Sequence, residues 1–218
     1  SGTGLAPSLS IIYRPAEGRY YYARMATAAR PRGLSAFAPS QANFKSDELT
    51  NLELGGRWRF PEAGLSTKLE LYGGKWSHVQ SDYLLPNGLV ATRNSGNALI
   101  YGAEASLLWK PGKDWTVDAG FEWQHATLEQ PATAIGITGD PQLAVVPRYK
   151  GHVELGHAFD LGEWRADATA RATAIGPSRL AVDSGFNRRI DGNVTLDLAV
   201  TATRSNWSFT LSAENVTN

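Results

Sequence analysis

Apolar and polar residues alternate strictly along the segment 115–124, WTVDAGFEWQ. One alternate set is entirely apolar, whereas the other contains two carboxylates. Because successive side chains of a strand point to opposite faces, this segment predicts a β-strand with one apolar and one polar face. The apolar face could lie in the core of a soluble sheet, or it could contact lipid while the polar face lines a wet lumen.

The same alternation recurs along the chain and predicts an all-β fold of about ten antiparallel strands. No segment of ten or more residues shows a convincing helical period. Short turns rich in Gly, Pro, Asp and Ser separate the strands in pairs. The predicted strands are 9–14, 20–27, 52–60, 67–76, 99–109, 115–128, 148–159, 164–174, 194–203 and 207–214.

The lengths of the connections favour a membrane barrel over a soluble sandwich. Turns of about 3–5 residues alternate with segments of roughly 15–20 residues, as in outer-membrane barrels. Charged residues fall opposite the apolar positions and would line a lumen. Five of the seven tryptophans lie near the short turns and are expected to form an interfacial girdle: Trp58, Trp109, Trp115, Trp164 and Trp207. In the sandwich alternative, these tryptophans would close one end of a core and the charges would form an ordinary solvated surface.

Composition narrows the possible functions without adding a catalytic site. The 21 basic residues balance the 21 acidic ones, so nothing indicates a nucleic-acid partner. The chain has no cysteine, which excludes disulfides and thiolate metal sites. No apolar run reaches the roughly 20 residues of a membrane helix. Among the four histidines, His152 and His157 are expected on opposite faces of one strand, and Ser77 beside His78 is most simply a chance neighbour. We therefore expect no enzyme activity and no cofactor or metal.

The direction of the strands predicts that both ends of this sequence lie on the long-loop side. Short turns face the periplasm in bacterial single-chain barrels, so a complete barrel would begin and end on the opposite side. The segment is thus expected to come from a larger barrel.

Three local motifs resemble the barrel of TonB-dependent outer-membrane receptors. They are DELTNLELGGRWRF at 47–60, NSGNALIYGAE at 94–104 and SAENVTN at 212–218, and the hairpin at 7–31 also fits. The resemblance implies an antiparallel, up-and-down transmembrane β-barrel in the bacterial outer membrane. Residues 1–218 would supply about ten strands, roughly the twelfth to the twenty-first, of a 22-stranded barrel. The plug domain, the TonB box and the final strand would lie outside these residues.

The resemblance implies active transport of a ferric siderophore or a similar scarce nutrient, driven by the TonB complex through the plug and TonB box. Arginine and aromatic residues on long loops suit an anionic, partly aromatic ligand. Alternatively, these loop residues contact lipopolysaccharide phosphates or water, and the protein is a passive porin-like or structural barrel. The loop candidates are Arg30, Arg32, Phe37, Phe44, His78, Tyr83, Arg93, Arg148, Tyr149, Arg179, Phe186, Arg188 and Arg189.

Overall fold

Ten long strands form one antiparallel sheet in the computed structural model, which describes residues 6–35, 43–85, 87–131, 141–181 and 188–217. The strands are β1 (Ser8–Ala16), β2 (Arg19–Arg30), β5 (Asp47–Phe60), β6 (Leu65–Ser77), β9 (Gly96–Trp109), β10 (Trp115–Pro131), β11 (Tyr149–Leu161), β12 (Trp164–Ile175), β15 (Asn193–Arg204) and β16 (Trp207–Ala213). They follow one another across the sheet in chain order, with β1 and β16 at its edges. This order is an up-and-down meander, and the ten predicted strands are confirmed.

Several strands extend further than the apolar alternation predicts, mostly at the long-loop end. The clearest case is β5, which begins at Asp47, where Asp47 pairs with Arg30 of β2. Four of the five residues added to β5, 47–51, are polar, so alternation does not reveal them. The backbone ladder nevertheless continues, because each unpaired backbone N–H or C=O in a sheet needs a partner.

Three of the long connecting segments contain short hairpins that the sequence did not predict. In the first, β3 (Gly33–Leu34) pairs with β4 (Asn43–Phe44), and in the second, β7 (Gln80–Leu84) pairs with β8 (Val90–Asn94). In the fourth, β13 (Ser178–Arg179) pairs with β14 (Arg189–Ile190). These pieces are too short and too polar to show a period of two.

The apolar residues of the long strands lie on one face and are open to the surroundings. Phe121 is 54% exposed, Val153 is 49% exposed and Leu211 is 80% exposed. Within the described residues no second sheet covers this face, since the remaining strands form only two-stranded pieces. The soluble-sandwich alternative is therefore wrong for this chain, and we call the apolar surface the outer face.

The five tryptophans near the short turns all lie on the outer face, as the alternation of their strands requires. Trp109, Trp115 and Trp207 are 41%, 48% and 66% exposed. The Trp58 indole N–H donates to the Tyr21 hydroxyl at 3.1 Å, and that of Trp109 donates to the Ala63 carbonyl at 3.2 Å. An indole with an exposed apolar ring and a hydrogen-bonded N–H is suited to the interface between bilayer and water.

The short turns need little space, and one of them depends on glycine. The 3₁₀ turn Pro61–Ala63 follows β5 and ends at Gly64, which has a φ of 61°. A Cβ at Gly64 would lie 2.3 Å from the Lys110 carbonyl oxygen, so this position requires glycine. Within the described part of the chain, no helix has the length and apolar character to cross a bilayer.

Candidate functional site

The second face of the sheet, which we call the inner face, carries charges that pair across neighbouring strands. Lys150 Nζ lies 2.7 Å from Glu122, and Arg171 Nη1 lies 3.1 Å from Glu154. Further bridges join Lys68 Nζ to Glu70 at 3.0 Å and to Glu104 at 3.5 Å, and His152 Nε2 to Asp118 at 2.7 Å. The predicted polar face is thus a surface on which most charges are neutralised locally.

Two tyrosines of the inner face reach a carboxylate two strands away by lying across a glycine. The Tyr22 hydroxyl of β2 donates to Glu70 of β6, and the ring crosses Gly55 of β5. A Cβ at Gly55 would lie 2.5 Å from the Tyr22 hydroxyl oxygen. Tyr72 of β6 similarly approaches Glu122 of β10 at 3.5 Å, across Gly102 of β9. The glycines therefore provide the space through which the inner face is cross-linked.

At the long-loop end, one buried carboxylate joins three elements. Asp47, the first residue of β5, is 1% exposed. It accepts hydrogen bonds from Arg30 Nε at 3.1 and 2.9 Å, from the Trp76 indole N–H at 3.0 Å and from the Gln80 backbone N–H at 3.2 Å. The Arg30 guanidinium also stacks 5.2 Å from the Trp76 ring centroid. Asp47 therefore fixes the start of the second loop against the end of β2.

Two asparagines complete the junction between the first and second loops. The Asn94 side chain accepts from the Lys45 backbone N–H at 2.6 Å and donates to the carbonyls of Lys45 and His78 at 3.1 and 2.6 Å. Asn97 Oδ1 accepts from the His78 backbone N–H at 3.0 Å. His78 has a φ of 53°, which is uncommon for a residue with a side chain. Its conformation is held by these two side chains.

Gln80 adds further bonds to the same junction. Its amide nitrogen donates to the carbonyls of Pro31 and Lys45, both at 2.9 Å. The Thr92 backbone N–H donates to the Ser35 hydroxyl at 3.1 Å. The described ends of the first loop, residues 31–35 and 43–46, and the β7–β8 hairpin consequently form one packed unit, which we call the outer loop unit.

A small apolar cluster lies beneath the loops on the inner face. It comprises Val79, Ala98, Ala126, Leu128 and Leu143, with Trp76, Ile100 and Val146 packed against it. Leu143 belongs to the third loop, and its backbone N–H donates to the Ala126 carbonyl at 2.8 Å. The described end of the third loop, residues 141–146, thus packs over the inner face.

The most ligand-like pair in the described loops is Arg93 and Tyr83, which lie diagonally across the β7–β8 hairpin, since Arg93 pairs with Ser81 and Tyr83 with Ala91. The Arg93 guanidinium carbon is 4.2 Å from the Tyr83 ring centroid, and both side chains are half-buried. Stacking of this kind orients the planar guanidinium and its donors. An oriented guanidinium can bind carboxylate or another oxyanion through two parallel hydrogen bonds.

The structure brings some of the predicted loop residues together and separates others. Tyr83 and Arg93 belong to the outer loop unit, and Arg30 at the end of β2 and His78 before β7 adjoin it. Arg30 is largely engaged by Asp47. Phe44 packs over Gly33 of the first loop, and Arg32 is exposed beside it. Phe37 and Phe186 lie outside the described residues.

The remaining candidates lie around the third and fourth loops. The Arg179 carbonyl accepts from the Val145 backbone N–H at 2.7 Å, which joins these two loops. Arg188 and Arg189 are exposed, and Arg189 pairs with Asp191 at 3.0 Å. Arg148 is exposed at the start of β11. Tyr149 is 44% exposed and shares the outer face with Val153, so its position matches an interfacial aromatic residue.

The sequence did not single out Asp47, Asn94 and Asn97 as individual residues that organise the loops. The signal was present, because Asp47, Asn94 and Asn97 lie within the two motifs used for the family resemblance. In the described part of the chain, no three His, Asp or Glu side chains are arranged to hold a metal ion.

An antiparallel meander with one open apolar face and one charge-paired face is the wall of a transmembrane β-barrel. The whole chain, residues 1–218, matches the profile of the family described as "TonB dependent receptor-like, beta-barrel". The protein belongs to this family, whose members are transport receptors of the bacterial outer membrane. The resemblance inferred from the three motifs is confirmed, as is the outer-membrane location.

Solved structures with the same fold include receptors for several cargoes. The ferric yersiniabactin uptake receptor of Yersinia pestis matches with a TM-score of 0.79 at 18% identity, over 97% of this chain and 32% of that one. The ferric preacinetobactin receptor of Acinetobacter baumannii gives 0.76 at 16% identity, over 98% and 32%. A copper transporter gives 0.72 at 16% identity, over 98% and 33%. The chain therefore spans about a third of the length of these proteins. Among curated proteins, no relative matches the sequence.

Proposed function

We propose that the receptor containing this segment takes up a ferric siderophore or a comparable anionic metal chelate through its outer loops. The segment supplies barrel wall and ligand-contacting loops. The plug domain and TonB box lie elsewhere in the receptor, and the TonB complex supplies the energy for uptake.

The observation that carries this proposal is the stacked Arg93–Tyr83 pair on the packed outer loop unit. The pair presents a guanidinium and an aromatic ring at 4.2 Å, so one side chain suits anionic oxygens and the other suits a flat chelating group. The bonds of Asp47, Asn94 and Gln80 hold the hairpin that carries it. A loop held in place loses less conformational entropy on binding.

The cargoes of the similar structures support the same cargo class. These structures are a ferric yersiniabactin uptake receptor, a ferric preacinetobactin receptor and a copper transporter. All are less than 25% identical to this chain, so they support the fold directly and the cargo only by analogy.

The proposal is tested by uptake of radioactive iron chelates in cells that express the complete receptor. Catecholate, hydroxamate and carboxylate chelates of Fe³⁺ are supplied separately, with and without a functional TonB complex. We expect uptake of at least one chelate and its loss without TonB. Uptake that continues unchanged without TonB would indicate a passive pore instead.

The ligand-binding role of the loop pair is tested by Arg93→Gln in the same cells. Loss of a charge-assisted hydrogen bond of about 1.5–3 kcal/mol should weaken chelate binding by roughly 10- to 100-fold. Arg204→Gln is the matched control, because Arg204 pairs with Glu163 at the short-turn end. Equal binding by both variants would contradict the role of Arg93.

A further inference from the structure

Three arginines of the inner face have no carboxylate partner, unlike the other cations of that face. Arg24, Arg30, Lys68, Lys150, His152, Arg165 and Arg171 each form an ion pair with an acidic side chain. Among the described residues, Arg14, Arg57 and Arg59 form no such pair. The exception is therefore local: β1 contributes Arg14 and β5 contributes the other two.

The three arginines lie together at the short-turn end. Arg14 and Arg57 both lie over the Tyr20 ring, with guanidinium carbons 5.8 and 5.7 Å from its centroid. Arg59 is anchored by its backbone N–H, which donates to the Gly18 carbonyl at 2.7 Å. The arrangement keeps two exposed guanidinium groups over one aromatic ring, and the exposed Arg59 lines the same cavity.

These groups border a cavity of about 610 Å³ on the wall. Its lining also includes Lys68, which is engaged by Glu70 and Glu104, and Asp118, which is engaged by His152. The volume falls within the range of about 300–1,000 Å³ that is usual for small-molecule sites. Glu17 also lines it, and Glu70 interacts electrostatically with Arg57, but neither forms an ion pair with the three arginines. The three cations repel one another, and a bound anion would relieve that repulsion.

We propose that Arg14, Arg57 and Arg59 form an oxyanion-binding site at the short-turn end of the inner face. Its ligand is a carboxylate or phosphate group, because planar guanidinium groups bind such oxygens in pairs. The oxyanion comes either from a free small anion in the lumen or from acidic side chains elsewhere in the receptor. The site is at the opposite end of the wall from the outer loop unit and does not depend on the cargo bound there.

The local charge can be measured with a single thiol, since residues 1–218 contain no cysteine. Ser66→Cys places a thiol in the cavity, and Thr195→Cys places one on the inner face of β15, away from the arginines. In the complete receptor, with any other cysteines replaced, each thiol is reacted with an anionic and a cationic methanethiosulfonate reagent. The ratio of the two rates reports the local potential.

For a site that binds free anions, we expect the anionic reagent to be favoured at position 66 by about tenfold or more relative to position 195. Millimolar inorganic phosphate should slow that reaction, and Arg57→Gln with Arg59→Gln should abolish the preference. Arg165→Gln, which removes an inner-face arginine that already has partners, should leave it unchanged.

For a site occupied by the receptor's own carboxylates, we expect the thiol at position 66 to be protected from both reagents. Protection should disappear in the double glutamine variant and persist in Arg57→Lys with Arg59→Lys, which keeps the charge. Equal rates with both reagents and no effect of phosphate would overturn the proposal. Protection that persists in the double glutamine variant would also overturn it.

Discussion

The two faces of this sheet are made from the same strands but follow different rules. On the outer face, side chains such as Val153 and Leu211 are open, and each needs only to be apolar. On the inner face, Glu70, Glu122 and Asp47 have specific partners on other strands, namely Tyr22, Lys150 and Trp76. The difference indicates that a position facing lipid requires only an apolar residue, whereas a position on the inner face requires a residue that fits a particular partner.

The largest difference between the two faces is expected when a charge is introduced at the middle of the outer face. Val153 lies midway between Tyr149 and His157 and is 49% exposed. We expect Val153→Arg to lower the free energy of unfolding of the receptor in lipid by about 2–4 kcal/mol, because a cation there faces hydrocarbon. Denaturant unfolding in vesicles measures the effect. Thr195→Arg on the inner face is the control, and an equal loss at both sites would contradict the assignment of the faces.

The next largest effect is expected at the buried inner-face carboxylate. Asp47→Asn keeps the shape but weakens the bonds to Arg30, Trp76 and the Gln80 N–H, and we expect a loss of about 2–3 kcal/mol in the local stability of the outer loop unit. Hydrogen exchange of the β7–β8 hairpin reports this loss. Asp118→Asn has one half-exposed partner, His152, and should cost less than about 1 kcal/mol. Unchanged exchange in Asp47→Asn would show that the loops are held by other contacts.

The glycines crossed by the inner-face tyrosines provide a third test of whether packing on that face depends on particular residue pairs. Gly55→Ala places a methyl group 2.5 Å from the Tyr22 hydroxyl oxygen, so the ring must move and its bond to Glu70 is lost. We expect a loss of about 1–2 kcal/mol in the free energy of unfolding. Gly156→Ala, whose nearest neighbour would be 3.6 Å away, should be nearly neutral. A Gly55→Ala loss that is the same in a Tyr22→Ala background would rule out the tyrosine as its cause.

The smallest effect is expected at an exposed pair beside a short turn. Hydrogen bonding to Arg165 at 2.7 Å holds the pKa of Asp114 below its usual value. A lowered folded-state pKa gives stability that is present above the unfolded pKa and is lost as the pH falls through the folded one. The difference in stability between wild type and Arg165→Gln should therefore be small at neutral pH and vanish in acid. A difference that grows in acid would contradict this sign.

Sequence alone predicted the outer face well because its requirement is simple. Alternation around Trp115 to Gln124 identifies a strand and its two faces without any knowledge of neighbouring strands. The same rule places Tyr149 on the outer face with Val153, so alternation argues against its selection as a loop ligand. The tryptophan positions followed from the same pattern.

Much of the candidate site could not be predicted, because it depends on partners distant in the chain. Asp47 contacts Gln80, 33 residues away, and Asn94 contacts Lys45, 49 residues away. Nothing in the local composition around Asp47 distinguishes a buried acceptor from a solvated charge. Likewise, Arg57 and Arg59 were expected among the lumen charges, but only the structure shows that they and Arg14 have no acidic partner among the described residues.

The meander has a consequence for how such a wall can change over evolutionary time. Each long strand between the two edge strands bonds to the long strands before and after it in the chain, so a hairpin is both a segment of sequence and a strip of wall. Gene duplication or deletion of one hairpin widens or narrows the circumference by two strands while leaving every other register intact. The size of the barrel and its set of loops can therefore change by one hairpin at a time, while the remaining strand pairs stay as they are.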